Sequence, residues 1–358
     1  MHSVIEFRRN SKRGRKRIVL QNEKNGNNMW LSLEVQAGAL GQYLTYSQVQ
    51  QIVFVAMLFL GTFITWVLFF RVPKQKRETL QLRNGMNVYS FQKGETEFLY
   101  EEIWESDTYV NYGLKLEKGD VVFDVGANIG MFSMYCASKV DGDITLFSFE
   151  PMPKIHDLCN ENLKRFVASK GGRVTCLQKG VSSEPGDAVF DFHKNFSLWS
   201  TARPEFNDRR NDRLVRDLPA MTRGFKESGR MSWFFNTIPH CVVACLARLF
   251  LLVLSSTEKV QCKLTTLSAV IEEHNVEKIN LLKVDVEGCE ELVLDGIEEK
   301  DWGKIKQITL EVEDFAAVKR VTKRLQAKGF QVKSAETERL ANPDVTSEVS
   351  HLWAWREA

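Results

Sequence analysis

VVFDVGANIG, residues 121–130, is the stretch that decides the fold. Residues 121–125 are an apolar run rich in β-branched side chains, which reads as a strand buried on both faces. Gly126 then lets the backbone turn sharply and approach a ligand closely, because no Cβ stands in the way. A helix is expected over 128–138, its N-terminal N–H groups facing the place where the strand ends and favouring a carboxylate there. Asp124, at the strand's end, is positioned for a cationic or hydroxyl group. Strand, glycine turn and helix together predict a nucleotide-type pocket at the carboxyl edge of a parallel sheet, with Asp124, Gly126, Asn128 and Gly130 around it.

Spacing decides what that pocket takes. Dinucleotide enzymes use G-x-G-x-x-G to wrap a pyrophosphate, whereas only Gly126 and Gly130 are present here, with an acid two residues before the first. S-adenosyl-L-methionine has no phosphate; its ammonium, carboxylate, ribose and sulfonium suit an acid, a glycine turn and a helix N-terminus. A second acid agrees. Glu150 closes LFSFE, 26 residues after Asp124, where a carboxylate can accept hydrogen bonds from both ribose hydroxyls. Pro151 and Pro153 stop that strand and start the next helix.

Outward from this centre, strand and helix patterns alternate, the mark of a mostly parallel sheet covered by helices. Strands are expected at 144–149, 173–178, 279–286, 307–312, near 330 and at 351–356, with helices at 154–166, 267–274, 290–297 and 315–327. Residues 196–258 break the rhythm as an insertion or cap. Their second half holds CVVACLARLFLLVL at 241–254, too short and too charged at Arg248 to span a bilayer. An interfacial helix, a lid on the acceptor pocket and an ordinary buried helix all fit it.

ETEFLYEEIWESDTYV (95–110), DVVFDVGANIGMFS (120–133), FSFEP (147–151), TLSAVIEEH (266–274), INLLKVDVEGCEELVLDGIEEKDW (279–302) and LEVED (310–314) resemble the FkbM-type methyltransferases. The resemblance covers residues 85–358. It implies a class I methyltransferase α/β sheet of Rossmann-like type, seven strands with the last antiparallel, and O-methylation of a hydroxyl on a small-molecule, glycan or lipid-linked acceptor.

The strand at 279–286 delivers a second acid pair, Asp285 and Glu287, at i and i+2 on one strand face. Methyl transfer to a hydroxyl needs in-line placement and removal of one proton. Asp285 is expected at the donor's methionine end or the acceptor hydroxyl, and Glu287 as the base, with His193 and Glu311 in reserve. The pair could hold a divalent cation with Glu313, but no His stands beside it in sequence, and a metal-free site is expected.

The N-terminal part lies outside the resemblance. Residues 1–51 carry a basic cluster from Arg8 to Arg17, read as a solvated, disordered arm. Residues 52–70, IVFVAMLFLGTFITWVLFF, are uncharged and span roughly 28 Å as a helix, close to a bilayer's hydrocarbon thickness. A single transmembrane signal anchor is expected, then a basic linker at 71–84. Arg71, Lys74, Lys76 and Arg77 after the run, against none in 35–51, put the C-terminal side in the cytosol; the arm at 8–17 argues the reverse. A cytosolic methyl donor favours a cytosolic domain. Asn195-Phe196-Ser197 is a glycosylation acceptor that only a lumenal domain would use.

A formal charge of +2, from 48 basic and 46 acidic residues, gives no reason to expect nucleic acid. The 7 cysteines are dispersed without a CxxC pair, as reduced thiols of a cytosol-facing domain would be. Two other functions compete: a nicotinamide-dependent oxidoreductase, against which the glycine pattern counts, and a catalytically inactive membrane scaffold that keeps the pocket for stability.

Overall fold

Two units make up the chain, Met1–Arg71 and Val72–Ala358. The computed structural model describes residues 5–9, 16–20, 31–35, 77–110, 113–193, 197, 200–203, 257–312, 315–335 and 350–356. In the first unit, β1 (Ile5–Arg9), β2 (Lys16–Leu20) and β3 (Leu31–Val35) pair as an antiparallel meander. Within the segment expected to be a disordered arm, Ile5/Phe7, Ile18/Leu20 and Leu31/Leu33/Val35 alternate at the strand period, a pattern the basic residues obscure. The apolar run 52–70 and the segment 241–254 lie outside the described residues, as does Asn195. Among the described residues no helix is long and apolar enough to cross a membrane.

The second unit begins with a hairpin of β4 (Glu78–Gln81) and β5 (Asn87–Ser90), turned at Asn84-Gly85, and helix α1 (Lys93–Tyr100). The main sheet follows. Strands β6 (Asp120–Val125), β7 (Ile144–Phe149) and β8 (Arg173–Leu177) run parallel, separated by helices α2 (Met131–Lys139) and α3 (Pro153–Phe166). A smaller sheet comes next, of β9 (Gly180–Val181), β10 (Gly186–His193) and β11 (Thr257–Thr265). The main sheet resumes after α4 (Leu267–Glu273) with β12 (Leu281–Val284), α5 (Glu290–Asp295), β13 (Gln307–Val312), α6 (Phe315–Ala327), β14 (Gln331–Ser334) and β15 (Ser350–Trp355). Its order is β14-β15-β13-β12-β6-β7-β8, and β15, the last strand, is antiparallel to both neighbours. That is the seven-stranded class I methyltransferase sheet expected.

Helices cover both faces, so the central strands are buried on both sides. Phe132, Tyr135, Ile155 and Leu163 of α2 and α3 fill one layer; Leu267, Ile271, Val293, Leu294, Val321 and Leu325 of α4, α5 and α6 fill the other. The Thr266 hydroxyl caps α4 by accepting the Ala269 N–H at 3.0 Å. Strand order reverses between β6 and β12, which leaves a crevice at their carboxyl ends.

Three boundaries differ from the sequence expectation for backbone reasons. Helix α2 starts at Met131 rather than residue 128, because Asn128 (φ 47°) and Gly130 (φ 85°) are left-handed. Strand β12 stops at Val284, since Glu287 (φ 51°) and Gly288 (φ 92°) turn the chain away. The insertion is framed by strands absent from the sequence expectation: β10 and β11 pair along their length, with His193 opposite Thr257. The insert therefore leaves and re-enters at neighbouring positions, where extra chain does not disturb the sheet. Alternation of Ala188, Phe190 and Phe192 was the available signal.

Candidate active site

The crevice opens into a cavity of about 360 Å³, lined by the turn after β6, the loops after β7 and β12, Tyr109, and the first residues of the insert. Gly126 (φ 79°) is obligatory: a Cβ there would sit 1.8 Å from the Asp285 carbonyl oxygen. Its N–H and that of Ala127 both donate to the Phe149 carbonyl, at 3.1 and 2.9 Å, drawing the ends of β6 and β7 together. Beside them Glu150 borders the cavity and accepts the N–H groups of Asn128 at 3.0 Å and Met152 at 2.9 Å. Burial still raises this carboxyl from 4.5 to about 7.

Asp285 and Glu287 also line the cavity, and the insert is stitched to their loop. The Thr201 hydroxyl donates to the Glu287 carbonyl at 2.8 Å, and the Arg203 guanidinium to the Gly288 carbonyl at 3.2 Å. Ser197 is held from α1: its N–H and hydroxyl both donate to the Glu95 carboxylate at 2.6 Å. Burial lifts Glu95 to about 7 even so.

Four of the expected residues sit elsewhere. Asp124 is wholly buried and is not among the cavity's lining; it accepts from Ser133 at 2.7 Å and faces Lys283 at 3.4 Å. Gly130 is a packing and capping position whose Cβ would press on Cys159 and Leu163 at 3.2 Å. His193 is buried at the end of β10, away from the cavity wall. Glu311 lies behind Tyr109 rather than on the cavity. Asp124 thus reaches the cavity wall through Lys283, which lines it.

Lys283 is the residue missed. Its ammonium donates to the Gly126 carbonyl at 2.8 Å and stands 3.3 Å from Asp285 as well as 3.4 Å from Asp124. Burial works against its charge, but Asp285 and Asp124 outweigh burial and hold it above the ordinary lysine range. A lone lysine inside the apolar INLLKVDV was the signal, since an unpaired charge could not be buried there. Tyr109 was also missed; its hydroxyl contacts Asp285 at 3.1 Å and Glu311 at 2.9 Å. Behind it, polar atoms of Glu102, Glu311 and His351 gather within 4.8 Å of one another, a group that includes neither Asp285 nor Glu287. Glu313 lies outside the described residues.

The model of the "Methyltransferase FkbM domain" matches residues 248–332. The 31-O-demethyl-FK506 methyltransferase FkbM of Streptomyces tacrolimicus is 34% identical over 269 residues, 75% of this chain and 94% of that one. The chain belongs to the FkbM methyltransferase family. The methyltransferase sdnD of Sordaria araneosa is 28% identical over 256 residues, 69% of this chain and 86% of that one. The hexuronic acid methyltransferase AglP of Haloferax volcanii is 36% identical over 98 residues, 25% of this chain and 38% of that one. Like the family, this chain is an S-adenosylmethionine-dependent methyltransferase. The cavity suits that donor: Glu150 offers a carboxylate at the ribose position of such sheets, and the Gly126–Asn128 turn presents backbone without side-chain obstruction.

Proposed function

We propose that this methyltransferase O-methylates a hydroxyl of a small-molecule, glycan or lipid-linked acceptor. The observation that carries the reading is that three acids, Glu150, Asp285 and Glu287, line one cavity. Glu150 would hold the ribose and the turn at Gly126 the methionine portion. The donor supplies an electrophilic methyl on a sulfonium. Asp285, held by Lys283 and Tyr109, orients the reacting end, and Glu287 takes the acceptor's proton. Removal of that proton needs a carboxylate within hydrogen-bond reach, which the Asp285–Glu287 loop offers. Oxygen as the methylated atom is supported by the name of the 31-O-demethyl-FK506 relative, and a sugar acceptor by that of the hexuronic acid relative.

Labelled methyl transfer from S-adenosylmethionine into a total extract, separated into lipid, glycan and small-molecule fractions, tests the reading. Label confined to protein would sink it. Glu287→Gln should leave donor affinity intact and cut turnover, by about a hundredfold for a general base.

Action at a membrane surface is the second part of the proposal, with a single-pass anchor at 52–70 and a cytosolic catalytic domain. Its support is the uncharged run and the basic residues that follow it. Alkaline extraction should leave the full chain in the membrane pellet and release a 52–70 deletion. A glycan on Asn195 would reverse the orientation.

A further inference from the structure

One hydroxyl at the reacting end faces two carboxyls. Tyr109 Oη lies 3.1 Å from Asp285 Oδ2 and 2.9 Å from Glu311 Oε2. A phenol carries a single proton and donates it to one acceptor at a time. Two ionised carboxylates at those distances would leave one contact as opposed lone pairs. Both contacts are hydrogen bonds only if one carboxyl brings a proton of its own. The surrounding charges say which. Among the described residues, the Lys283 ammonium faces Asp285 at 3.3 Å and Asp124 at 3.4 Å. Glu311 instead faces His351 Nε2 at 3.7 Å and the Glu102 carboxyl.

We infer that Glu311 holds a proton in the working enzyme and donates it in a hydrogen bond to Tyr109, whose own hydroxyl then donates to Asp285. Tyr109 and Glu311 are positioning residues that act through Asp285. The inference rests on the reading that Asp285 borders the reacting hydroxyl, and it specifies how that acid is held.

The titratable groups facing Glu311 agree. Burial, then Asp285 and Glu102, push Glu311 well above the glutamate range. Burial, then Asp285, Glu311 and Glu102, raise Tyr109. Burial lowers His351 to about 4, which leaves it neutral and unable to compensate an ionised Glu311. Burial and Asp285 raise Glu102 to about 7. The Tyr109 hydrogen bond and then Lys283 oppose, and Lys283 is shared with Asp124 and Asp285. When alkaline conditions ionise Glu311, the single Tyr109 proton has two takers and the hold on Asp285 weakens.

Glu311→Gln is the deciding variant, because an amide N–H can donate to Tyr109 at every pH. It should keep kcat within about threefold of wild type at neutral pH and abolish the alkaline decline in kcat, whereas Glu311→Ala should lose about tenfold or more in kcat with donor affinity unchanged. Infrared difference spectra should show a protonated-carboxyl C=O stretch at neutral pH in the full chain that is lost in Glu311→Gln. An alkaline decline that persists in Glu311→Gln, or no such band in wild type, would overturn the inference. So would Mg²⁺-dependent activity abolished by chelation, which would mean that a divalent cation, not a proton, joins these acids. The infrared band needs no acceptor. A band present in a protein that methylates no alcohol would remove the proposed function and leave the proton in place.

Discussion

The two sides of the cavity are built on different principles. The donor side, around Gly126, Ala127, Asn128 and Glu150, is made by one strand-turn-helix and the end of the adjacent strand, held mostly by backbone hydrogen bonds. The reacting side joins Tyr109, Lys283, Asp285, Glu311 and His351, brought together by opposed charges and shared protons. Asp124 and Lys283 form the seam between the two. A side shaped by backbone keeps its fold through changes of charge and loses it on changes of volume. One held by charge should do the reverse.

The seam gives the largest expected effect. Lys283→Met would leave Asp124 buried without its ammonium, at a cost of about 3–5 kcal/mol of folding stability. Denaturant unfolding measures it, and adding Asp124→Asn should recover a substantial part. A cost under about 1 kcal/mol for Lys283→Met would mean that Asp124 is already neutral and that charge does not hold the reacting side. Gly126→Ala should come next, at about 3 kcal/mol, because its Cβ would meet the Asp285 carbonyl oxygen at 1.8 Å and the backbone is left-handed. If Gly126→Ala melts like wild type, the donor side is not set by backbone contact.

The same contrast explains what the sequence disclosed. The donor side is contiguous, so VVFDVGANIG and FSFEP name Gly126, Asn128 and Glu150 directly, and the alternation of strands and helices carries the sheet with them. Asp124 was misplaced because strand position does not tell which way its side chain faces; only the buried partner, Lys283, decides that. Tyr109 and Asp285 are 176 residues apart and Tyr109 and Glu311 202, contacts that no local pattern encodes. The β10–β11 frame of the insert was legible in the alternation of DAVFDFH but was masked by the polar stretch that follows.

Glu150→Gln sharpens the comparison from the donor side. The variant keeps one oxygen for the Asn128 or Met152 N–H and loses the charge, so the fold should hold. S-adenosylmethionine affinity should fall about ten- to a hundredfold, the value of charge-assisted hydrogen bonds to ribose hydroxyls. Isothermal titration against S-adenosylhomocysteine measures it. Unchanged affinity would take Glu150 out of the donor site, and a collapsed fold would make it structural instead.

The smallest effect tests the crowding of acids on the reacting side. Burial first, and Asp285 next, raise Glu102 from 4.5 to about 7 in the folded protein, with Lys283 opposing. A carboxyl whose folded pKa is raised binds its proton more tightly in the native state than in the unfolded one. Its contribution to stability is complete below 4.5 and is lost as pH rises through about 7. Glu102→Gln, which stays neutral throughout, should therefore unfold at nearly the same denaturant concentration as wild type in acid and gain on it as pH rises from 4.5 through about 7. Glu95 and Glu150 carry shifts of the same sign, so the difference between the two curves, not either curve alone, is the measurement. Parallel curves would mean that Glu102 is ionised in the fold at neutral pH. The acids behind Tyr109 would then be fewer protons short than their spacing implies, and the distinction between a backbone-built and a charge-built side would have to rest on Lys283 alone.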